Sequence, residues 1–383
     1  MQYSTLPRCP ALRVSAIGLG CEHIGPREPR QVEATIHAAL DAGVNFFELF
    51  MPQPDIRDKI GNALAGRREQ AVLMGHIGSC LTDDGQYVRS RDVALCETYI
   101  QDFLRRYRTD YIDIGMLHYI DTDEDFRQAF ETPFLDYALR LKREGVVRCL
   151  GASSHVASTA IRMVETGLID VLLFSLNPSY DILPEDVGID AYFQDETFAG
   201  LTERRIDPVR QRLYDLCAQK GVAITVMKAL GCGRLLSPDN GFARPLTPLQ
   251  CIHYAMTRPA VASVFVGCTD PEQVGQAVRY FDAPDQEKDF SDIIARMDNV
   301  LAGKCMYCNH CLPCPQNIDI AAVTRLLDAA RGGDAAVAAS AAARHRAMRP
   351  NAFDCIGCAA CEPNCPFGVQ IADNMAEAAR RFA

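Results

Sequence analysis

Eight cysteines near the C-terminus are spaced to hold metal. They form two runs, each closed by a proline: Cys305, Cys308, Cys311 and Cys314 before Pro315, and Cys355, Cys358, Cys361 and Cys365 before Pro366. The second run has the Cys-x2-Cys-x2-Cys-x3-Cys-Pro spacing of bacterial 4Fe–4S ferredoxins, in which three thiolates hold one cluster and the Cys-Pro thiolate crosses to the other. The first run is one residue shorter before its last cysteine. Four thiolates packed so closely over-fill a single tetrahedral zinc ion, whose sites separate two cysteine pairs and often include histidine. Two 4Fe–4S clusters are therefore expected, with Cys314 and Cys365 as the crossing ligands.

A second set of reactive residues lies upstream. Glu48, His76 and His118 each follow a short apolar run, and Lys228 follows a later one. Two imidazoles and a carboxylate make an acid–base set that works near neutral pH. Lys228 could pair with an anionic substrate or an enolate-like charge. Tyr119 and Tyr180 are further phenol donors. The plainer alternatives are hydrogen-bonded structural histidines and a Glu48–Lys228 ion pair, and two histidines with a carboxylate can also ligate a metal.

The elements that must position these groups read as repeated strand–helix units. Eight apolar runs are legible: Ala16–Leu19, Val44–Leu49, Ala71–Met74, Tyr111–Leu117, Val146–Leu150, Val171–Leu176, Val222–Val226 and Val261–Val266. Between them lie amphipathic stretches at Arg30–Ala42, Ile56–Ala65, Arg91–Tyr107, Phe126–Glu144, Ser158–Glu165, Pro208–Gln219, Thr247–Thr257 and Pro271–Tyr280. That alternation predicts a (β/α)8 barrel, whose active site lies at the carboxyl ends of the strands. An open doubly wound sheet is the alternative, but no G-x-G-x-x-G follows the first strand. The expected division is a barrel over residues 1–283, a linker helix over 284–300 and an α-helical, ferredoxin-like dicluster domain over 301–383. Helices are expected at Ser291–Leu301, Ile320–Leu327 and Asp334–Arg346.

Composition narrows the partners. The 383 residues carry a formal charge of −10 and are 48% hydrophobic. That acidity argues against nucleic acid, which needs a clustered basic face. Residues 1–10 lack the apolar core of a signal peptide, and no stretch has the length of a membrane span. The other nine cysteines (Cys9, Cys21, Cys80, Cys96, Cys149, Cys217, Cys232, Cys251 and Cys268) are scattered singly. That pattern suits free thiols in a reducing cytoplasm.

The motifs together resemble the aldo/keto reductases, and in particular the subset with a C-terminal two-cluster domain. The carrying segments are Ala42-Gly43-Val44-Asn45-Phe46-Phe47, Asp110-Tyr111-Ile112-Asp113 with Leu117-His118, and Leu150-Gly151-Ala152-Ser153. To these are added Asn177, and Met227-Lys228 with Gly231 and Gly233. The resemblance implies a catalytic Asp, Tyr, Lys and His, of which only the His is kept, as His118. Glu48 stands at the Asp position, Gln53 at the Tyr position and His76 at the Lys position. Gln53 cannot act as an acid, so the family's proton donor is missing. Ser153, Ser154, Asn177 and Met227 fall at nicotinamide-side positions, while Gly231, Gly233 and Gly267 lie in loops that could meet phosphate. NAD(P) or a flavin therefore remains open, NADP being the weaker case because Asp270 would repel a 2′-phosphate.

Clusters pass single electrons, whereas nicotinamide exchanges a hydride. The leading expectation is a cytoplasmic iron–sulfur oxidoreductase that relays electrons between a redox partner, such as a ferredoxin, and a small substrate or organic cofactor at the barrel mouth. The alternatives are a non-catalytic electron-transfer subunit with a degenerate barrel, and an acid–base lyase or isomerase with structural clusters.

Overall fold

Strand periodicity fixes the frame, seen here in a computed structural model. It describes residues 1–183, 206–238, 240, 242, 244–295, 305, 307, 311–331, 335–365 and 368–383. Cys308 and the C-terminal half of the expected helix Ser291–Leu301 lie outside the described residues.

Two strands, β1 (Tyr3–Leu6) and β2 (Cys9–Ser15), form an antiparallel hairpin ahead of the barrel. The barrel strands are β3 (Ile17–Gly20), β4 (Phe46–Leu49), β5 (Val72–Ile77), β8 (Ile112–Leu117), β9 (Val147–Ser154), β10 (Val171–Ser175), β11 (Ala223–Met227) and β12 (Val261–Val266). They close in that order, β12 pairing parallel with β3. A second hairpin, β6 (Ser79–Leu81) with β7 (Tyr87–Arg89), is inserted after the third barrel strand.

The barrel is filled, not hollow. Phe46, Met74, Ile114, Met116, Cys149, Val171, Leu173 and Phe265 pack inside it against Leu6, Cys9, Leu12 and Val14 of the first hairpin. That hairpin closes the amino end of the strands, leaving the carboxyl end for chemistry. The expectation of nine free cysteines is corrected here: Cys9 and Cys149 form a disulfide joining the hairpin to β9. The folded chain brings together two residues 140 positions apart in sequence.

One helix is also corrected. The expected Phe126–Glu144 element is two helices, Asp123–Phe130 and Pro133–Arg143. Pro133 has no N–H to continue the first, and Thr132 caps the second by accepting from the Phe134 amide. Beyond the barrel, helices run over Ile320–Arg331, Ala335–Ala347 and Ile371–Arg381. The first packs on the barrel helix Pro208–Lys220, and Arg325 donates to the Thr257 carbonyl at 2.7 Å. No described helix is long and apolar enough to cross a membrane.

Candidate active site at the barrel mouth

Parallel strands bring their carboxyl ends to one rim, so residues distant in sequence meet there. Glu48 near the end of β4, His76 in β5 and His118 just after β8 converge as predicted, all buried. His76 Nε2 lies 3.0 Å from Glu48 Oε1, at ion-pair distance but outside hydrogen-bonding alignment. His76 Nδ1 and His118 Nδ1 are hydrogen-bonded at 2.7 Å. Phe50 stacks on the His118 ring, with centroids 5.9 Å apart. Burial pushes the His118 pKa well below its ordinary value, and His76, Arg91 and Arg89 add to the effect. The imidazole is therefore neutral. Because the two Nδ1 atoms are spent on each other, this trio is not arranged around a metal ion.

Sequence reasoning missed a fourth member of the chain. Tyr87 in the inserted hairpin is hydrogen-bonded through its hydroxyl to His118 Nε2. Its side chain is 42% exposed at the mouth. Burial of the rest raises the phenol pKa to about 12, against the pull of Arg89 and Arg91. The hairpin is tied at its base by Ser90 N–H to the Gly78 carbonyl at 2.9 Å and by Ser79 Oγ to the Phe50 carbonyl. Gly78 has φ +96°, and a Cβ there would meet the Ser90 oxygen at 2.6 Å, so only glycine makes this turn. Arg91 holds the His118 carbonyl at 2.6 Å.

A second chain lies beside the first. Lys228 Nζ contacts His155 Nε2 at 3.1 Å, and His155 Nδ1 contacts Asp121 Oδ2 at 2.9 Å. Burial lowers the His155 pKa despite Asp121. The neutral ring thus donates from Nδ1 to the carboxylate and accepts the ammonium proton at Nε2. Burial pushes the Asp121 carboxyl up, but hydrogen bonds from His155 and Ser154 more than reverse this. Tyr119 bridges the two chains: its ring lies 5.0 Å from that of His155 and 6.1 Å from that of His118. The Arg89 guanidinium covers the Tyr119 ring at 4.1 Å. His155 and Asp121 had a sequence signal, following Ser154 and lying three residues after His118, but only the fold shows that they touch.

The alternative of a Glu48–Lys228 ion pair is not formed; Glu48 faces His76 and Lys228 faces His155. Lys228 and Tyr119 both sit in the left-handed region, at φ +59° and +52°. Such strain costs about 1–3 kcal/mol per residue and is concentrated at functional sites.

The nicotinamide-side positions are engaged internally. Ser153 Oγ accepts from the Tyr119 amide, Ser154 Oγ donates to Asp121, and Asn177 Nδ2 donates to the Lys228 carbonyl. Ser154 and Asn177 are completely buried. Met227 is half-buried at the end of β11. Gly231 and Gly233 flank Cys232 in a kinked turn, and Gly267 packs against the His23 ring. Asp270 caps the helix Pro271–Val278 by accepting from the Gln273 amide. Tyr180 is fully buried, its ring against Arg210.

In the C-terminal region, Cys314 lines one pocket with Cys355, Cys358 and Cys361. Three neighbouring thiols of the second run thus share a wall with the Cys-Pro thiol of the first. Cys305, Cys311 and Cys365 are described nearby in sequence, and the hydroxyl of Tyr307, in the first cysteine loop, donates to Asp328 at 2.9 Å.

Comparison with known proteins agrees with this architecture. Residues 16–249 match the model of the aldo/keto reductase family. The uncharacterized oxidoreductase YqkF of Bacillus subtilis is 25% identical over 286 residues, which span 70% of this chain and 87% of that protein. Protein tas of Escherichia coli is 26% identical over 193 residues, 42% of this chain and 54% of its own length. Among solved structures, the holo form of aldo-keto reductase AKR11C1 from Bacillus halodurans superposes with a TM-score of 0.58 at 22% identity. That alignment covers 78% of this chain and 96% of the other, and it establishes the shared fold. With a closed eight-stranded barrel, a family match over more than half its length and a polar constellation at the carboxyl rim, this oxidoreductase belongs to the aldo/keto reductase family.

Proposed function

We propose that this protein is an iron–sulfur oxidoreductase in which two 4Fe–4S clusters exchange electrons with a small substrate or organic cofactor at the barrel mouth. The observation that carries the reading is the pocket shared by Cys314 with Cys355, Cys358 and Cys361. It supports the crossed ligand pattern of dicluster ferredoxins, in which three thiolates of one run join the Cys-Pro thiolate of the other. By the same pattern Cys305, Cys308, Cys311 and Cys365 would hold the second cluster. When bound, the clusters would supply single electrons.

The chain's own residues would do the rest. Glu48, His76 and His118 hold protons without placing charge on a buried imidazole. Lys228, held by His155, offers an ammonium for an anionic or developing negative charge on the substrate. The loop after β12 does not suit a dinucleotide, because the Asp270 carboxylate already occupies the helix start where a pyrophosphate would bind. No step is therefore derived through a nicotinamide. A ferredoxin-like protein remains the proposed electron partner.

The reading is tested by reducing the anaerobically reconstituted protein and adding candidate small carbonyl substrates. The cluster electron-paramagnetic signals should decay on mixing, and the decay should be lost when His76 and His118 are both replaced by alanine. Decay unaffected by that double replacement would remove the barrel mouth from the reaction.

A further inference from the structure

We infer that Tyr87, presented by the inserted hairpin, is the proton donor to a carbonyl-type substrate oxygen, and that Glu48, His76 and His118 form a wire that restores its proton. The inference rests on the proposed reductive role of the barrel mouth and names the acid that serves it. Gln53, at the family's tyrosine position, has no ionisable proton to give. Its Oε1 is buried without a hydrogen-bond partner among the described residues. Tyr87 enters the same mouth from a different element and reaches His118 Nε2 directly.

The chain has two self-consistent proton arrangements. In one, Tyr87 donates to His118 Nε2, His118 Nδ1–H donates to His76 Nδ1, and His76 Nε2–H faces the Glu48 carboxylate. In the other, which holds one proton more because Glu48 is a carboxylic acid, each hydrogen bond is reversed: the Glu48 carboxylic acid faces His76 Nε2, His76 Nδ1–H donates to His118, and His118 Nε2–H donates to the Tyr87 oxygen. The phenol hydrogen then points into the mouth. Both arrangements keep both imidazoles neutral, as the burial of His118 favours. Rotation about the terminal torsion of Glu48 closes the last link, a tightening common when a substrate completes a site.

The proton step balances within the chain. The Tyr87 Oη–H bond breaks and a bond from that hydrogen to the substrate oxygen forms. His118 Nε2 gives its proton to the phenolate, His76 Nδ1 gives its own to His118 Nδ1, and Glu48 gives its own to His76 Nε2. The net change is one proton from Glu48 to substrate, with Glu48 reprotonated from solvent. No electron moves in this step; those that make the substrate oxygen basic enter separately, from the reduced clusters or another reductant of the reaction.

The test compares wild-type protein with Tyr87→Phe and Glu48→Gln, using a panel of aldehydes, α-dicarbonyls and quinones with reduced methyl viologen as electron source. Loss of a positioned general acid costs roughly 10²–10⁴-fold, so Tyr87→Phe should lose at least about a hundredfold in kcat with little change in KM. The wild-type solvent deuterium isotope effect on kcat, carried by the Tyr87 proton, should disappear in Tyr87→Phe, and Glu48→Gln, which cannot restore that proton through the wire, should lower kcat with Tyr87 still in place. A tyrosine with only a structural role would move neither the isotope effect nor the kcat-to-KM balance. Tyr87→Phe turning over within about twofold of wild type overturns the inference. So does wild-type protein that has reducible clusters and acts on no carbonyl in the panel. Cluster content is read on the same samples by electron paramagnetic resonance. Preparations without reducible clusters sink the electron-relay proposal alone, and the Tyr87 comparison is then decided with reduced methyl viologen acting directly on the bound substrate.

Discussion

The imidazole of His118 is the residue on which the mouth turns. Its neutral form is enforced by burial and by the cationic groups around it, so its pKa in the folded state lies below that of the unfolded chain. The sign of the pH effect follows. Between the two values the unfolded chain holds the extra proton, so stability rises with pH there and falls as pH drops below the unfolded value of about 6.5. Replacing His118 with Asn should flatten the fall in the urea midpoint between pH 7 and pH 5, at up to about 1.4 kcal/mol per pH unit for one proton. An unchanged slope would mean that His118 is charged when folded. Lys228→Met should leave His155 tied to Asp121 but remove the ammonium, raising KM for anionic substrates about tenfold or more while sparing neutral ones; equal loss on both would refute an anion-binding role. At this scale the sequence was legible where a residue ended a strand: Glu48, His76, His118 and Lys228 were all expected at the rim. Tyr87, Asp121 and His155 were not, because they reach the rim through a hairpin and through loop contacts that leave no periodic signal.

At the scale of elements, the eight barrel strands could be read because each is an apolar run bounded by polar residues, and buried parallel strands look that way. The two hairpins were invisible for the opposite reason. The inserted pair β6 and β7 has strands of three residues, too short for alternation to register. The first hairpin mixes Arg13 and Pro10 into its pattern, and its apolar face is defined only by the barrel end that it closes. The disulfide was equally hidden, since spacing along the chain gives no hint that Cys9 meets Cys149. Intact mass spectrometry after alkylation without reductant should show Cys9 and Cys149 unlabelled and linked in one peptide pair. Reduction should then lower stability by about 2–4 kcal/mol. Full alkylation of both thiols in the native protein would show that the hairpin is held by packing alone.

Across the whole molecule, the C-terminal helices are seated on the barrel through a few buried polar groups. Asp215, on the barrel helix Pro208–Lys220, is buried, and burial raises its carboxyl pKa to about 6. A carboxyl with a raised folded pKa is harmless while protonated and costs stability as pH rises through that value. Asp215→Asn should therefore stabilise the protein by about 2–3 kcal/mol at pH 8 and have little effect at pH 4, measured by urea unfolding. A uniform effect at both pH values would contradict the burial of an ionisable group there. The two cysteine runs and the helices between them were legible in the sequence, whereas the docking of this region on the barrel, through Arg325 and Thr257, was not. The most direct test is iron, sulfide and zinc analysis of anaerobically prepared protein, with electron-paramagnetic spectra before and after dithionite. Two full clusters' worth of iron and sulfide, reducible and reduced to one cluster or fewer when Cys314 is replaced by alanine, is the predicted result. Zinc without sulfide, or a metal content indifferent to Cys314, would contradict it.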